Sequence, residues 1–183
     1  MKIDAEGWCS GLRRIASPNC DRRASGTKIS LLVIHNISLP PGEFGGTAIE
    51  RLFTNTLDCD AHPYYSERLR GLKVSAHFLI RRSGQLIQFV PCSQRAWHAG
   101  VSEWQGRTRC NEFSLGIELE GDDEHPFTDA QYTKLTLLTR RLRRRYPLRD
   151  IAGHSDIAPG RKTDPGPYFD WDRYLSSLNS HAD

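Results

Sequence analysis

The chain has 183 residues, 38% of them hydrophobic and 26% charged, with a formal net charge of +3. That length fits one domain spanning 1–183, able to bury roughly 70% of its unfolded surface without disulfide or metal staples. The composition excludes a disordered chain, and no apolar run approaches the ~20 residues of a membrane helix. Residues 1–8 carry two acids and no hydrophobic stretch, which does not fit a secretory signal. The five cysteines, at 9, 20, 59, 92 and 110, are odd in number and include no Cys-x-x-Cys pair. That usage fits a reducing compartment, so a cytoplasmic protein is expected.

Residues 1–29 are polar, contain Pro18 and read as an irregular lead-in. The run Ser30-Leu31-Leu32-Val33-Ile34 reads as a buried strand ending at His35. Pro and Gly make 39–46 a loop. Thr47 and Glu50 fit a capping box that opens a helix with Ile49, Leu52 and Phe53 inward. Residues 55–72 lack periodicity and read as a long surface loop. Segments 74–80 and 85–90 flank Arg82-Ser83-Gly84 as a β-hairpin. Along 113–120, Phe113, Leu115, Ile117 and Leu119 face one way, and Ser114, Gly116, Glu118 and Glu120 the other. Thr128 and Gln131 form a second capping box, before a helix with Tyr132, Leu135, Leu138 and Leu142 on one stripe, ending ahead of Pro147. A last helix follows an Asp170 cap, with Trp171, Tyr174, Leu175 and Leu178 on its apolar face. These elements predict an α/β (α+β) protein, a mixed central β-sheet flanked by helices.

Three side chains stand out chemically. His35 ends a buried strand; His154 and Asp164 lie ten residues apart in a Pro- and Gly-rich loop. Two imidazoles and a carboxylate supply three zinc ligands and leave a fourth position for water. Lys162 precedes Asp164 by two, so an extended loop projects both to one side. A cation beside a metal ligand makes sense where negative charge develops in a reaction. This spacing is not a general zinc signature, and an isolated histidine is more often a surface or satisfied core residue.

Glu118 lies mid-strand, where a carboxylate is costly unless paired, hydrogen-bonded or near a metal. Burial raises its pKa toward a useful general base and a metal lowers it; the alternative is an edge-strand residue facing water. Glu120, beside Gly121 at the strand end, is expected to be exposed. His77 faces either a cleft or the sheet. Trp97 and His98 form either a wall for a ring-shaped ligand or part of the core. His62, His125 and His181 read as ordinary residues of polar segments. The arginines at 140, 141, 143, 144, 145 and 149 suit either a polyanion patch or a solvated helix face. Tyr146 is the one aromatic among them, too few for a set of stacking platforms, which favours the solvated face.

Five motifs, in order, resemble a known family. They are Val-Ile-His35-Asn36, Ser75-Ala-His77-Phe, Ala-Trp97-His98-Ala-Gly, Gly116-Ile-Glu118-Leu-Glu, and Gly-His154-Ser-Asp-Ile-Ala-Pro with Arg-Lys162-Thr-Asp164-Pro-Gly-Pro. The chain resembles the zinc N-acetylmuramoyl-L-alanine amidases, whose fold is shared with peptidoglycan recognition proteins. The resemblance runs from about residue 5 to about residue 175. It implies one zinc ion held by His35, His154 and Asp164, with Glu118 moving protons for the attacking water and Lys162 stabilising the oxyanion. It also implies a substrate site lined by Asn36, Lys73, His77, Trp97, His98 and Arg109.

Many relatives carry Cys where Asp164 stands; Asp keeps the site hard and does not oxidise. Lys73 stands where Arg is expected, so charge is kept and a bidentate fork is lost. Residues 39–46 and 104–111 resemble the branch of the family that acts on soluble 1,6-anhydro-muropeptides in cell-wall recycling, and so restrains β-lactamase induction. The implied partner is that muropeptide, with no nucleic acid, membrane or obligate protein partner. Two other readings are a non-catalytic muropeptide-binding module and an amidase acting on intact peptidoglycan. The complete ligand set disfavours the first, and the missing export signal disfavours the second.

Overall fold

The run from Leu31 to Ile34 is apolar at every position and buried on both sides, the pattern of a central parallel strand. It belongs to β3 of a computed structural model that describes residues 1–180. In chain order the strands are β1 (Arg13–Arg14), β2 (Cys20–Arg22), β3 (Leu31–Ile37), β4 (Phe78–Ile80), β5 (Leu86–Gln88), β6 (Gln94–Ala96), β7 (Glu103–Trp104), β8 (Arg107–Thr108), β9 (Ser114–Glu120) and β10 (Asp150–Gly153). The helices are α1 (Ala48–Phe53), α2 (Pro63–Arg68), α3 (Asp129–Arg145), α4 (His154–Ile157) and α5 (Trp171–Asn179). The main sheet runs β1-β5-β4-β9-β3-β10. Its neighbours are parallel except for the β4–β5 hairpin, so the sheet is mixed as expected.

Alternation along the strands sorts the core into two sides. Leu32, Ile34, Leu115, Ile117 and Leu119 pack under α3 and α5, with Leu135, Leu138, Leu142 and Tyr174. On the other side, Leu79 and Ile87 pack against Ile49, Leu52 and Phe53 of α1. Leu31 and Val33 pack near Ala99, Phe113 and Ile157. His35 follows Leu31 and Val33 at the strand period of two, so it emerges on their side. Glu118 is its cross-strand partner.

The Thr128 capping box forms: the Thr128 hydroxyl accepts from the Gln131 N–H at 3.2 Å, and Gln131 Oε1 accepts from the Thr128 N–H at 3.0 Å. The one expected at Thr47 does not, because Thr47 makes no side-chain cap bond. Glu50 is instead drawn into the interior by Arg13 and Arg81, at 2.8 and 2.9 Å. The segment 55–72 is not one irregular loop. It contains α2, started by Pro63 and capped by His62, whose Nδ1 accepts from the Tyr64 N–H. In the lead-in, β1 extends the main sheet and β2 pairs with β6. On α5, Tyr174 is fully buried while Leu175 is exposed, so the apolar stripe is narrower than its spacing suggested.

Glu120 is buried rather than exposed. It accepts from Arg81 at 2.8 Å and from the backbone N–H groups of Arg82 and Gly45 at 2.9 and 2.7 Å. Charge-assisted bonds of this kind make burial of a carboxylate affordable. Arg81 also reaches Glu50 and the Gly46 carbonyl, tying loop 39–46 to the end of β9. All five cysteines are free thiols. Among the described residues no helix is long and apolar enough to cross a membrane. His181 lies outside the described residues.

Candidate active site

Register brings the three candidate ligands together. Gly153, the last residue of β10, pairs with Ile34 of β3. The next residue along each chain is His154 and His35, so the two imidazoles emerge side by side at the carboxyl ends of parallel strands, where α/β proteins commonly bind ligands. Asp164 returns on the following loop, whose carbonyl accepts from the Ser155 N–H at 2.9 Å. Asn36 donates to the Pro165 carbonyl at 3.0 Å and to Asp123 at 2.8 Å, pinning that loop to β3.

The result is a near-equilateral triangle. His35 Nδ1, His154 Nδ1 and Asp164 Oδ2 lie 3.0 Å from one another on all three sides. The three residues form a group able to hold one metal ion. Two ligands at the usual Zn–N distance of about 2.0–2.1 Å and a tetrahedral angle stand ~3.3 Å apart, so the donor set fits such an ion. His154 Nε2 faces the Ala99 carbonyl at 3.1 Å. That carbonyl can only accept, which places the proton on Nε2 and leaves the Nδ1 lone pair facing the triangle.

Electrostatics agree with this arrangement. Burial pushes His35 down to about 4, although the Asp164 carboxylate beside it opposes the shift. Burial on its own raises the Asp164 carboxyl; the imidazoles of His154 and His35 beside it outweigh that and hold the group well below the usual carboxylate range. Glu118 behaves in the opposite way. Burial first, and the Asp164 charge second, raise it well above the ordinary glutamate value, with Lys162 opposing. Its Oε2 is buried without a hydrogen-bond partner. An orphaned buried acceptor costs on the order of 1–3 kcal/mol, the signature of a group kept for chemistry rather than for packing.

All five of these residues line one cavity of about 500 Å³. Asn36, Trp97 and His98 line it too, and Leu52, Leu69 and Val74 form an apolar wall. The remaining sequence candidates lie elsewhere. Lys73 lines an adjoining hollow of about 140 Å³ that shares Leu52, Leu69 and Leu72 with the main cavity. Arg109 is exposed, in the left-handed region at φ 61°, and lines two other surface depressions. His77 is fully buried: its Nδ1 accepts from the Gly116 N–H at 3.0 Å and its Nε2 faces the Gln94 carbonyl at 3.1 Å. Of the two positions open to His77, it takes the one within the sheet, and burial together with Arg23 pushes it down to about 3.

Sequence reasoning missed the acidic run Asp122, Asp123 and Glu124, which lines the cavity just past β9. Its position beyond the carboxyl end of a central parallel strand was the available signal. The Ala99 carbonyl, which touches His154, has no side-chain signature at all.

The chain and its fold are similar to those of known proteins. A family profile described as N-acetylmuramoyl-L-alanine amidase matches residues 25–167. The 1,6-anhydro-N-acetylmuramyl-L-alanine amidase AmpD of Salmonella typhimurium (strain SL1344) is 57% identical over 182 residues, 97% of each chain. The AmpD of Escherichia coli (strain K12) is 57% identical over 171 residues, covering 92% of this chain and 93% of its own. A crystal structure of a Se-Met AmpD derivative superposes with a TM-score of 0.94 at 56% identity, over 97% of this chain and 99% of that one. Escherichia coli AmiD, solved with its substrate anhydro-N-acetylmuramic acid-L-Ala-D-gamma-Glu-L-Lys, superposes with a TM-score of 0.61 at 31% identity, over 85% of this chain and 60% of AmiD.

Proposed function

The chain belongs to the N-acetylmuramoyl-L-alanine amidase family, and we propose that it uses a single zinc ion to hydrolyse the amide between 1,6-anhydro-N-acetylmuramic acid and L-alanine in soluble muropeptides. The observation that carries this reading is the 3.0 Å triangle of His35, His154 and Asp164 with the orphaned Glu118 carboxylate in the same cavity. We read the whole of 1–183 as one amidase domain, working in the cytoplasm on wall fragments.

A zinc ion held by the triangle would supply Lewis acidity and a water whose pKa falls toward ~7. Glu118, the cross-strand neighbour of His35 in the same cavity, accepts the proton of the attacking water. The water oxygen bonds to the amide carbonyl carbon, and the carbonyl oxygen gains negative charge. Lys162, on an exposed turn at the cavity edge, offers its ammonium to that oxygen. Glu118 then delivers the proton to the alanine nitrogen as the C–N bond breaks. The products are the sugar's lactyl carboxylate and the free amino group of the stem peptide. Asn36 spends its N–H donors on the Pro165 carbonyl of the Asp164 loop and on Asp123, which leaves its carbonyl oxygen for the substrate side. Trp97 offers an aromatic wall to the anhydro sugar. Lys73, beside the apolar wall, is within the region a stem peptide would cross.

The test is purified protein, with and without chelator, on anhydro-muropeptide and on intact sacculi, with products weighed by mass spectrometry. Chelator-sensitive release of free peptide from the soluble substrate is expected. Binding without cleavage would turn the chain into a recognition module, and preferential attack on sacculi would reassign its substrate.

A further inference from the structure

Both candidate histidine ligands lean on one turn of the chain, residues 97–99. His154 Nε2 meets the Ala99 carbonyl at 3.1 Å. His35 Nε2 meets His98 Nδ1 at 2.9 Å. One side chain holds two backbone N–H groups of the turn: Asn111 Oδ1 accepts from the N–H of His98 at 3.1 Å and of Ala99 at 2.8 Å.

The direction of every bond in this chain of contacts is fixed from its far end. The Cys110 carbonyl can only accept, so the Ser114 hydroxyl spends its one proton there, at 2.6 Å. Ser114 Oγ must therefore accept from His98 Nε2–H, 3.2 Å away. His98, buried with no carboxylate beside it, carries one ring proton, so its Nδ1 is a bare acceptor. That acceptor takes the proton of His35 Nε2, and His35 Nδ1 is left with its lone pair toward His154 and Asp164. Reading the proton inward from a backbone carbonyl gives His35 the one tautomer able to ligate from the atom that faces the triangle.

The ring of His98 has a built seat. Gly116 faces it mid-strand in β9, and a Cβ there would stand 2.5 Å from His98 Cγ. The His98 ring sits edge-on to both His35 and His77, with centroids 5.0 and 5.7 Å away. Ser114, Gly116 and Glu118 thus divide one face of β9 between them: an anchor for His98, room for its ring, and an acid in the cavity.

We propose that His98 and Asn111 are positioning residues, which hold the two imidazoles in their ligating tautomer and orientation through the turn 97–99. His98 lines the cavity, and the geometry assigns its nitrogens to His35 and Ser114 rather than to substrate. The inference rests on the metal-site reading above, and the experiment separates the two.

Zinc affinity is measured by competition with a chromophoric chelator, and cobalt is substituted to read ligand geometry from its visible spectrum. Loss of an outer partner of a metal ligand typically weakens metal affinity about 10- to 100-fold. His98→Phe and Asn111→Ala should each show that loss with an altered cobalt band, while melting of the metal-free protein changes little. His98→Asn, which returns an acceptor oxygen toward His35, should recover most of the affinity. A His98→Phe protein that fails to fold leaves the comparison to Asn111→Ala and Ser114→Ala, with the same expected loss. Parent-like zinc affinity and cobalt spectrum in these variants would overturn the positioning role alone. A parent protein that binds no zinc, or binds it equally well after His35→Ala, would overturn the metal reading instead.

Discussion

Replacing Glu118 with glutamine keeps the shape of the side chain and removes its titration. In the metal-free protein the consequence for stability follows from the raised pKa. Above the ordinary glutamate value of 4.5 the unfolded chain releases this proton while the folded chain retains it. The unfolded state then binds fewer protons, so parent stability falls as pH rises, until the folded group also ionises. Within that window the loss approaches about 1.4 kcal/mol per pH unit. At about 2–4 °C per kcal/mol for a domain of this size, it amounts to roughly 3–6 °C of Tm per pH unit. Glu118→Gln escapes the penalty. Its melting curve should meet the parent's below pH 4.5 and rise above it toward neutrality, while turnover of the zinc-loaded enzyme falls by ~10²–10⁴ for want of the base. Thermal melts of the two chelated proteins from pH 4 to 8, with rates on anhydro-muropeptide, check both halves. Parallel Tm profiles would show that Glu118 titrates normally, and full activity would remove it from the chemistry.

Two further substitutions probe the rest of the site and its support. Lys162→Ala should keep zinc content and folding but lose ~10²–10³ in rate; unchanged turnover, measured beside metal content, would take the lysine out of the mechanism. Arg81→Ala takes the cation from Glu120, which keeps only two backbone N–H donors, and strips one of two cations from Glu50, both carboxylates being buried. Urea denaturation should report a loss of about 3–5 kcal/mol, and a loss under about 1 kcal/mol would mean that the carboxylates find water.

The parts of the fold that a local pattern dictates were readable from the sequence. The apolar run of β3, the period-two alternation of β9 and the Thr128 capping box each depend on neighbours in the chain. What long-range pairing decides was hidden. Glu120 looked exposed because Gly121 follows it, yet Arg81 and two backbone N–H groups from distant segments draw it in. Glu50 looked like a capping partner until Arg13 and Arg81 claimed it. Helix α2 escaped notice because an imidazole is not among the usual N-cap groups. At the site, His35, His154, Asp164 and Glu118 carry chemistry in their residue types and stood out in the sequence, and the structure brings them to one cavity. Asn111 was not given a role, because its function here is to hold two backbone N–H groups. Lys73 and Arg109 came from resemblance alone, and neither lines the main cavity.

The proposed chemistry depends on one ion in one triangle. A crystal of the zinc-loaded protein, measured on both sides of the zinc absorption edge, tests it directly. A single anomalous peak within bonding distance of His35 Nδ1, His154 Nδ1 and Asp164 Oδ2 is the expected result. Full amidase activity in crystals or solution with that position empty of metal, or a peak bound elsewhere, would contradict it.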